Sequence, residues 1–209
     1  DGTFLPVRLW DGVSVKLNHK DVVIGIDWLF EGEGSMDLQW LPHKLQFFVL
    51  RGPKLTGTLD FRRLPHGLRD LYISQTQISG EVDLQGLPKT LQALNIAGNR
   101  MSGSLNLSHL PRSLKMLNLA DNAFQGPLDL QNLPNRLKYI DLSENQFSKD
   151  VLTAVSPAHP RTILMEGNPL DKDALTMNCA APCPCIHTDE KGCVTLRSKK
   201  SILLYLQGC

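Results

Sequence analysis

The residues best suited to chemistry lie near the end of the chain. Cys179-x3-Cys183-x-Cys185-x-His187-x5-Cys193, followed by Cys209, gathers all five cysteines within 31 residues. Three thiolates with a fourth thiolate or an imidazole would close a zinc tetrahedron. The same residues could instead pair as disulfides or stay as free thiols. Cys-Pro-Cys is an awkward chelate beside the usual C-x2-C knuckle, so pairing among Cys179, Cys183, Cys185, Cys193 and Cys209 is the favoured reading, and no metal is assigned. Such pairing favours an oxidising compartment: secreted, cell-surface or an organelle lumen.

Elsewhere the chemistry thins out. The chain has no G-x-S-x-G, no H-E-x-x-H and no Walker A loop, so no catalytic residue and no cofactor is assigned. Gly32-Glu33-Gly34 lacks a helix pattern after it and reads as a turn. His43, His66 and His109 recur beside Leu-Pro pairs and read as surface residues without a placed partner. Asn106-Leu107-Ser108 fits the glycosylation triplet, and Asn106 also reads simply as a surface Asn standing where other segments carry Asp. The protein is expected not to be an enzyme.

Composition narrows the partners. Of 209 residues, 22 are Lys or Arg and 21 Asp or Glu, a formal net charge of +1. That balance argues against nucleic acid and bilayer surfaces as partners. No run of eighteen apolar residues exists, so no membrane insertion is expected. Asp1 opens the chain without a signal-like apolar stretch, as where a targeting segment has been removed or was not included.

The elements that could position a site follow from a repeat. Leu-Pro falls at 41, 64, 87, 110 and 133, a constant spacing of 23 residues. Each copy carries L-x-x-L-x-L-x-x-N, with Pro53 and Thr76 in place of Asn in the first two. A sixth copy keeps register through Pro157, Ile163, Met165 and Asn168, and a degenerate earlier one surrounds Ile24, Ile26 and Met36-Asp37-Leu38. This period and consensus mark a leucine-rich repeat solenoid. Side chains alternate in L-x-L, so Leu94, Ile96, Leu117 and Leu119 fill the interior while the residues between them look outward. Stacked coils bring these strands into a parallel sheet on the concave face of a curved right-handed superhelix. Asn99, Asn122, Asn145 and Asn168 form an internal ladder that satisfies backbone groups. Leu59-Asp60-Phe61, Val82-Asp83-Leu84, Leu105-Asn106-Leu107 and Leu128-Asp129-Leu130 suggest a second short strand after Gly57, Gly80, Gly103 and Gly126. Pro then steers the convex return into turns and 3-10 segments, with little α-helix.

This unit resembles the plant-type leucine-rich repeat, in the Leu-Pro variant seen in single-celled eukaryotes. Trp10-Asp11-Gly12-Val13 is similar to the W-x-G-V cap that opens such arrays, although the flanking cap cysteines are replaced. The resemblance implies an N-terminal cap over 1–20, about seven coils over 21–177 and a cysteine-bearing C-terminal cap over 178–209. Asn168-Pro169-Leu170 resembles the lead into such C-terminal caps, which cover the otherwise exposed last coil. The resemblance also implies a protein-binding or scaffolding module rather than a catalyst.

The remaining candidates are surface residues. The alternation is expected to put Trp28, Phe47, Val49, Arg51 and Tyr72 on the concave face as an apolar-aromatic patch, with Arg51 its only cation. Asn95 and Asn118 follow in the middle, then Tyr139, Asp141 and Glu144 towards an acidic C-terminal end. Trp10 and Trp40 are expected to pack into the N-terminal cap. The leading reading is a non-catalytic module that holds another protein mainly on its concave face. The alternative is a permanent accessory subunit bracing the subunits of a larger complex.

Overall fold

A computed structural model describes residues 11–130, 132–152 and 162–169, with the pairs 187–188 and 194–195. Trp10 and the five cysteines lie outside the described residues, as does the expected C-terminal cap apart from a short antiparallel pairing of His187–Thr188 with Val194–Thr195. The chain winds through β1 (Val13–Leu17), β2 (Val23–Leu29), β3 (Gly34–Met36), β4 (Phe47–Arg51), β5 (Leu55–Gly57), β6 (Asp70–Ser74) and β7 (Ser79–Glu81). It continues through β8 (Ala93–Asn95), β9 (Arg100–Ser104), β10 (Met116–Asn118), β11 (Ala123–Leu128), β12 (Tyr139–Asp141), β13 (Gln146–Leu152) and β14 (Thr162–Leu164).

Two sheets result. The larger, concave one runs β1-β2-β4-β6-β8-β10-β12-β14, parallel except for the antiparallel β1–β2 hairpin at its N-terminal edge. The smaller runs β13-β11-β9-β7, with β3 and β5 paired beside it. The architecture is a leucine-rich repeat solenoid. No helix among the described residues is long and apolar enough to cross a membrane.

The 23-residue spacing is what stacks like on like. Leu71 pairs with Leu94, Leu94 with Leu117 and Leu117 with Ile140, so leucine columns run unbroken down the interior. These residues are fully buried, as are Phe124 and Phe147 from the second sheet. Each coil buries several side chains only because its neighbours cover them, which is why a repeat array folds as one core. Within each coil the Pro carbonyl of Leu-Pro accepts from the amide of the leucine three residues on, as from Leu68 to Pro65 (3.0 Å) and Leu91 to Pro88 (3.0 Å). That turn delivers the chain into the next strand.

The asparagine ladder is present and fully bonded. Asn122 Nδ2 donates to the carbonyls of Ile96, Leu119 and Ala120 at 3.0–3.2 Å, and its Oδ1 accepts from Met101 N at 3.0 Å. Asn145 and Asn168 repeat the pattern. Where Asn is missing, Thr76 relays: its hydroxyl donates to Asn99 Oδ1 and accepts from Ile78 N.

The second strand is not where the Leu-Asp-Leu segments suggested. It lies just upstream, around the glycines, reaching Leu128 in β11, while Leu59-Asp60-Phe61 and Val82-Asp83-Leu84 instead open convex 3-10 turns. Asp37, Asp60 and Asp83 N-cap the turns Leu38–Trp40, Phe61–Arg63 and Leu84–Gly86, each carboxylate accepting from the amide two residues on. A short carboxylate satisfies an orphan amide there, which a strand would not need. Gly103 shows why the preceding strand requires glycine: its φ is +85°, and a Cβ would lie 2.7 Å from Glu81 Cγ.

Candidate partner-binding site

The register of the concave sheet fixes which side chains leave the core. Its first outward row is Gly25, Phe47, Asp70, Ala93, Met116 and Tyr139, and its second is Asp27, Val49, Tyr72, Asn95, Asn118 and Asp141. Phe47, Val49, Arg51, Tyr72, Asn95, Asn118, Tyr139 and Asp141 therefore share this face. Glu144 follows β12 at its downstream edge and is exposed.

Trp28 does not join them. It stands opposite Leu50, on the core side of the sheet, and packs edge-on to Phe30 with centroids 5.4 Å apart. Its Nε1 donates to the Asp11 carbonyl at 2.9 Å, pinning the turn before β1. The alternation itself carried this signal, since Trp28 has the parity of Ile26, a buried core residue. Trp40 also departs from expectation: it is 61% exposed at the end of its convex 3-10 turn rather than packed into the cap.

The N-terminal third of the face is more charged than the repeat alone indicates. Arg51 pairs with Asp27 across the sheet at 2.8 Å, each side chain about half exposed. Arg51 is not the only concave cation, because Lys16 Nζ stands 5.2 Å from the centre of the Phe47 ring. Gly25 permits this: a Cβ there would lie 2.9 Å from Lys16 Cβ, so only glycine lets β1 close over the sheet. Lys16, Asp27 and the exposed Leu29 sit in the cap hairpin and the degenerate first coil, where no regular spacing announced them.

Asp70 is half-buried between Phe47 and Ala93. Burial pushes its carboxyl above the usual carboxylate range, partly opposed by Arg69 and Lys115. Tyr72 is raised by burial and by the Asp70 charge. At the other end burial, a hydrogen bond to Asp141 and that carboxylate's charge push Tyr139 up to about 12. Tyr139 Oη donates to Asp141 Oδ2 at 2.9 Å, while Asp141 Oδ1 accepts from Ser143 N at 3.1 Å. Asn95 and Asn118 use Oδ1 the same way, accepting from Ala97 N and Ala120 N. Their carbonyls thus close the strand ends, and their amide NH2 groups make no hydrogen bond among the described residues.

Charge is also distributed across the face. Exposed Arg69, Lys115 and Lys138 precede their strands, and exposed Asp121 and Glu144 follow theirs. One long edge is basic and the other acidic. Chemically the face offers half-covered aromatics, amide donors and two charged rims, which suits recognition. Among the described residues no three His, Cys, Asp or Glu side chains gather to hold a metal.

No family model matches the chain, and no curated protein does. Solved structures do. A pollen receptor kinase 3 structure superposes with a TM-score of 0.61 at 25% identity, over 87% of this chain and 86% of that one. The leucine-rich repeat ectodomain of the receptor kinase SOBIR1 from Arabidopsis thaliana gives 0.54 at 24%, over 78% and 84%. The fold is that of leucine-rich repeat ectodomains. The plant peptide hormone receptor RGFR1, in complex with RGF2, gives 0.58 at 24% identity, with 71% of this leucine-rich repeat chain matching 25% of the receptor.

Proposed function

We propose that this leucine-rich repeat solenoid is a non-catalytic protein-binding module that holds its partner mainly along the concave sheet, in an extracellular or luminal compartment. The observation that carries the reading is Phe47 in the first outward row beside Val49 and Tyr72 in the second, three partly exposed apolar or aromatic side chains that the register turns away from the core. Aromatics on a rigid sheet lose little entropy when a partner covers them, and such anchors carry most of an interface's energy. The small or short side chains that follow, Ala93, Asn95 and Asn118, let a partner's backbone approach the sheet. That a plant peptide hormone receptor, RGFR1 in complex with RGF2, shares this fold supports a protein- or peptide-binding role.

A photo-crosslinking side chain at concave Ser74 tests this in the fluid or extract the chain comes from, against a convex control at exposed Gln85. Ser74 captures a protein partner and Gln85 does not. Against that partner, Phe47→Ala with Tyr72→Ala weakens binding by about 100-fold, or about 2.7 kcal/mol, while circular dichroism stays that of the parent. A folded double variant that binds like the parent places the partner elsewhere and overturns the reading.

A further inference from the structure

A row of short polar residues recurs at 23-residue spacing: Asp37, Asp60 and Asp83, which N-cap their turns, then Asn106, with Asp129 at the same place in the next repeat. Two residues beyond each stand Gln39, Arg62, Gln85, Ser108 and Gln131. One coil, between β9 and β10, departs from the row at both places, and the two departures together spell Asn-Leu-Ser. None of the other ten asparagines is followed by Ser or Thr at the second position. Sequence alone reads Asn106 as a stand-in for Asp; its surroundings add more.

Asn106 is exposed. Its Oδ1 does the capping, accepting from Ser108 N at 3.0 Å and from Ser108 Oγ at 2.6 Å, and Ser108 Oγ lies 2.7 Å from His109 Nδ1. Its Nδ2 makes no hydrogen bond among the described residues. The amide is thus divided: oxygen bound to the fold, nitrogen left to solvent.

We propose that Asn106 is an N-glycosylation site, its Nδ2 carrying a glycan on the convex face. The donor class is an oligosaccharide linked through pyrophosphate to a lipid. Nδ2 attacks the anomeric carbon, the carbon–nitrogen bond forms and the bond from that carbon to the pyrophosphate oxygen breaks. The lipid pyrophosphate leaves with the electron pair, and a base on the transferase takes the amide proton. The transferase reads the triplet on extended chain, so the finished fold bears on whether the product fits. It fits: the product is still an amide with a carbonyl Oδ1, so the cap survives, and no hydrogen bond of the fold is spent on Nδ2. Asp37, Asp60 and Asp83 cap their turns in the same way but offer no nitrogen. The glycan stands across the coil from Met116 and Asn118, leaving the concave sheet clear and obstructing a partner on the convex face of this coil. The inference does not rest on the concave reading.

The test is the full chain secreted from eukaryotic cells, weighed and peptide-mapped before and after peptide N-glycosidase. One glycan maps to the Asn106 peptide, and enzymatic release leaves Asp at that position. Asn106→Asp and Ser108→Ala lose the whole glycan mass, and N106D keeps the parent circular dichroism because Asp caps the neighbouring turns. A secreted parent whose Asn106 peptide is unmodified overturns the proposal, as does a glycan that persists in N106D. The parent's own peptide map decides the question even if neither variant is secreted.

Discussion

Single residues on the concave face answer to two demands, closing their own strand and meeting a partner. Asp141 serves the first through Ser143 and Tyr139, so its charge is already engaged before any partner arrives. Asp70 is the less comfortable case, a carboxylate half-buried beside Phe47 whose pKa is raised mainly by burial. Because its folded pKa exceeds the unfolded one, the folded state holds the proton more tightly, and stability falls as pH rises between the two values. Asp70→Asn removes that cost. Its melting temperature is expected to exceed the parent's at pH 7, with the gain vanishing once the pH drops below the ordinary carboxylate pKa; calorimetry at the two pH values checks it. A gain that persists in acid would falsify the burial account.

At the scale of elements, the strands are short and their ends need partners. The asparagine ladder supplies them from inside. Asn122→Ala leaves Met101 N and the carbonyls of Ile96, Leu119 and Ala120 without this partner, in a part-buried place. Unsatisfied buried groups cost about 1–3 kcal/mol each, so the loss is expected at about 3 kcal/mol or more by urea denaturation. Asn122→Thr is expected to cost less, because Thr76 shows that a hydroxyl can both donate and accept in the ladder. Equal losses for the two variants would mean that side-chain shape, not hydrogen bonding, holds the ladder. The convex caps are a milder device, since they work at exposed turns. Asp60 also holds Arg62 and Arg63 at 3.0 and 3.3 Å, and the Arg62 hydrogen bond is the chief reason its carboxyl lies below the usual range.

At the scale of the molecule, stacking turns a repeated residue into a row. Rows explain why the concave face has a basic rim at Arg69, Lys115 and Lys138 and an acidic one at Asp121 and Glu144. Glu144 reaches over the next coil because Gly167 has no side chain; a Cβ there would lie 2.4 Å from its carboxyl carbon. Rim charges steer encounter more than they hold a complex. Asp121→Lys with Glu144→Lys is therefore expected to lower the association rate for the captured partner about tenfold at low salt and to leave dissociation nearly unchanged. Surface plasmon resonance across a salt series reads both rates. An effect confined to dissociation would place these carboxylates inside the interface instead of at its rim.

Much of this protein was legible without coordinates. The 23-residue period alone determined the solenoid, the buried columns through Leu94, Leu117 and Ile140, and the ladder from Asn99 to Asn168, because identical coils can only stack in register. It also placed Phe47, Val49 and Tyr72 on the open face, since alternation is a local property of strands. What the period could not decide lies where coils differ or where groups meet across them. Whether Leu-Asp-Leu is strand or cap depended on which amide lacked a partner in the finished turn. The side of Trp28 was implied by parity with Ile26, but its bond to the Asp11 carbonyl required the hairpin. The Lys16 contact with Phe47 and the Arg51–Asp27 pair join residues from coils of unequal length, 31 and 24 positions apart, so no spacing announces them. Only the folded sheet, by pairing Gly25 with both Lys16 and Phe47, brings those charges to the face where a partner is expected.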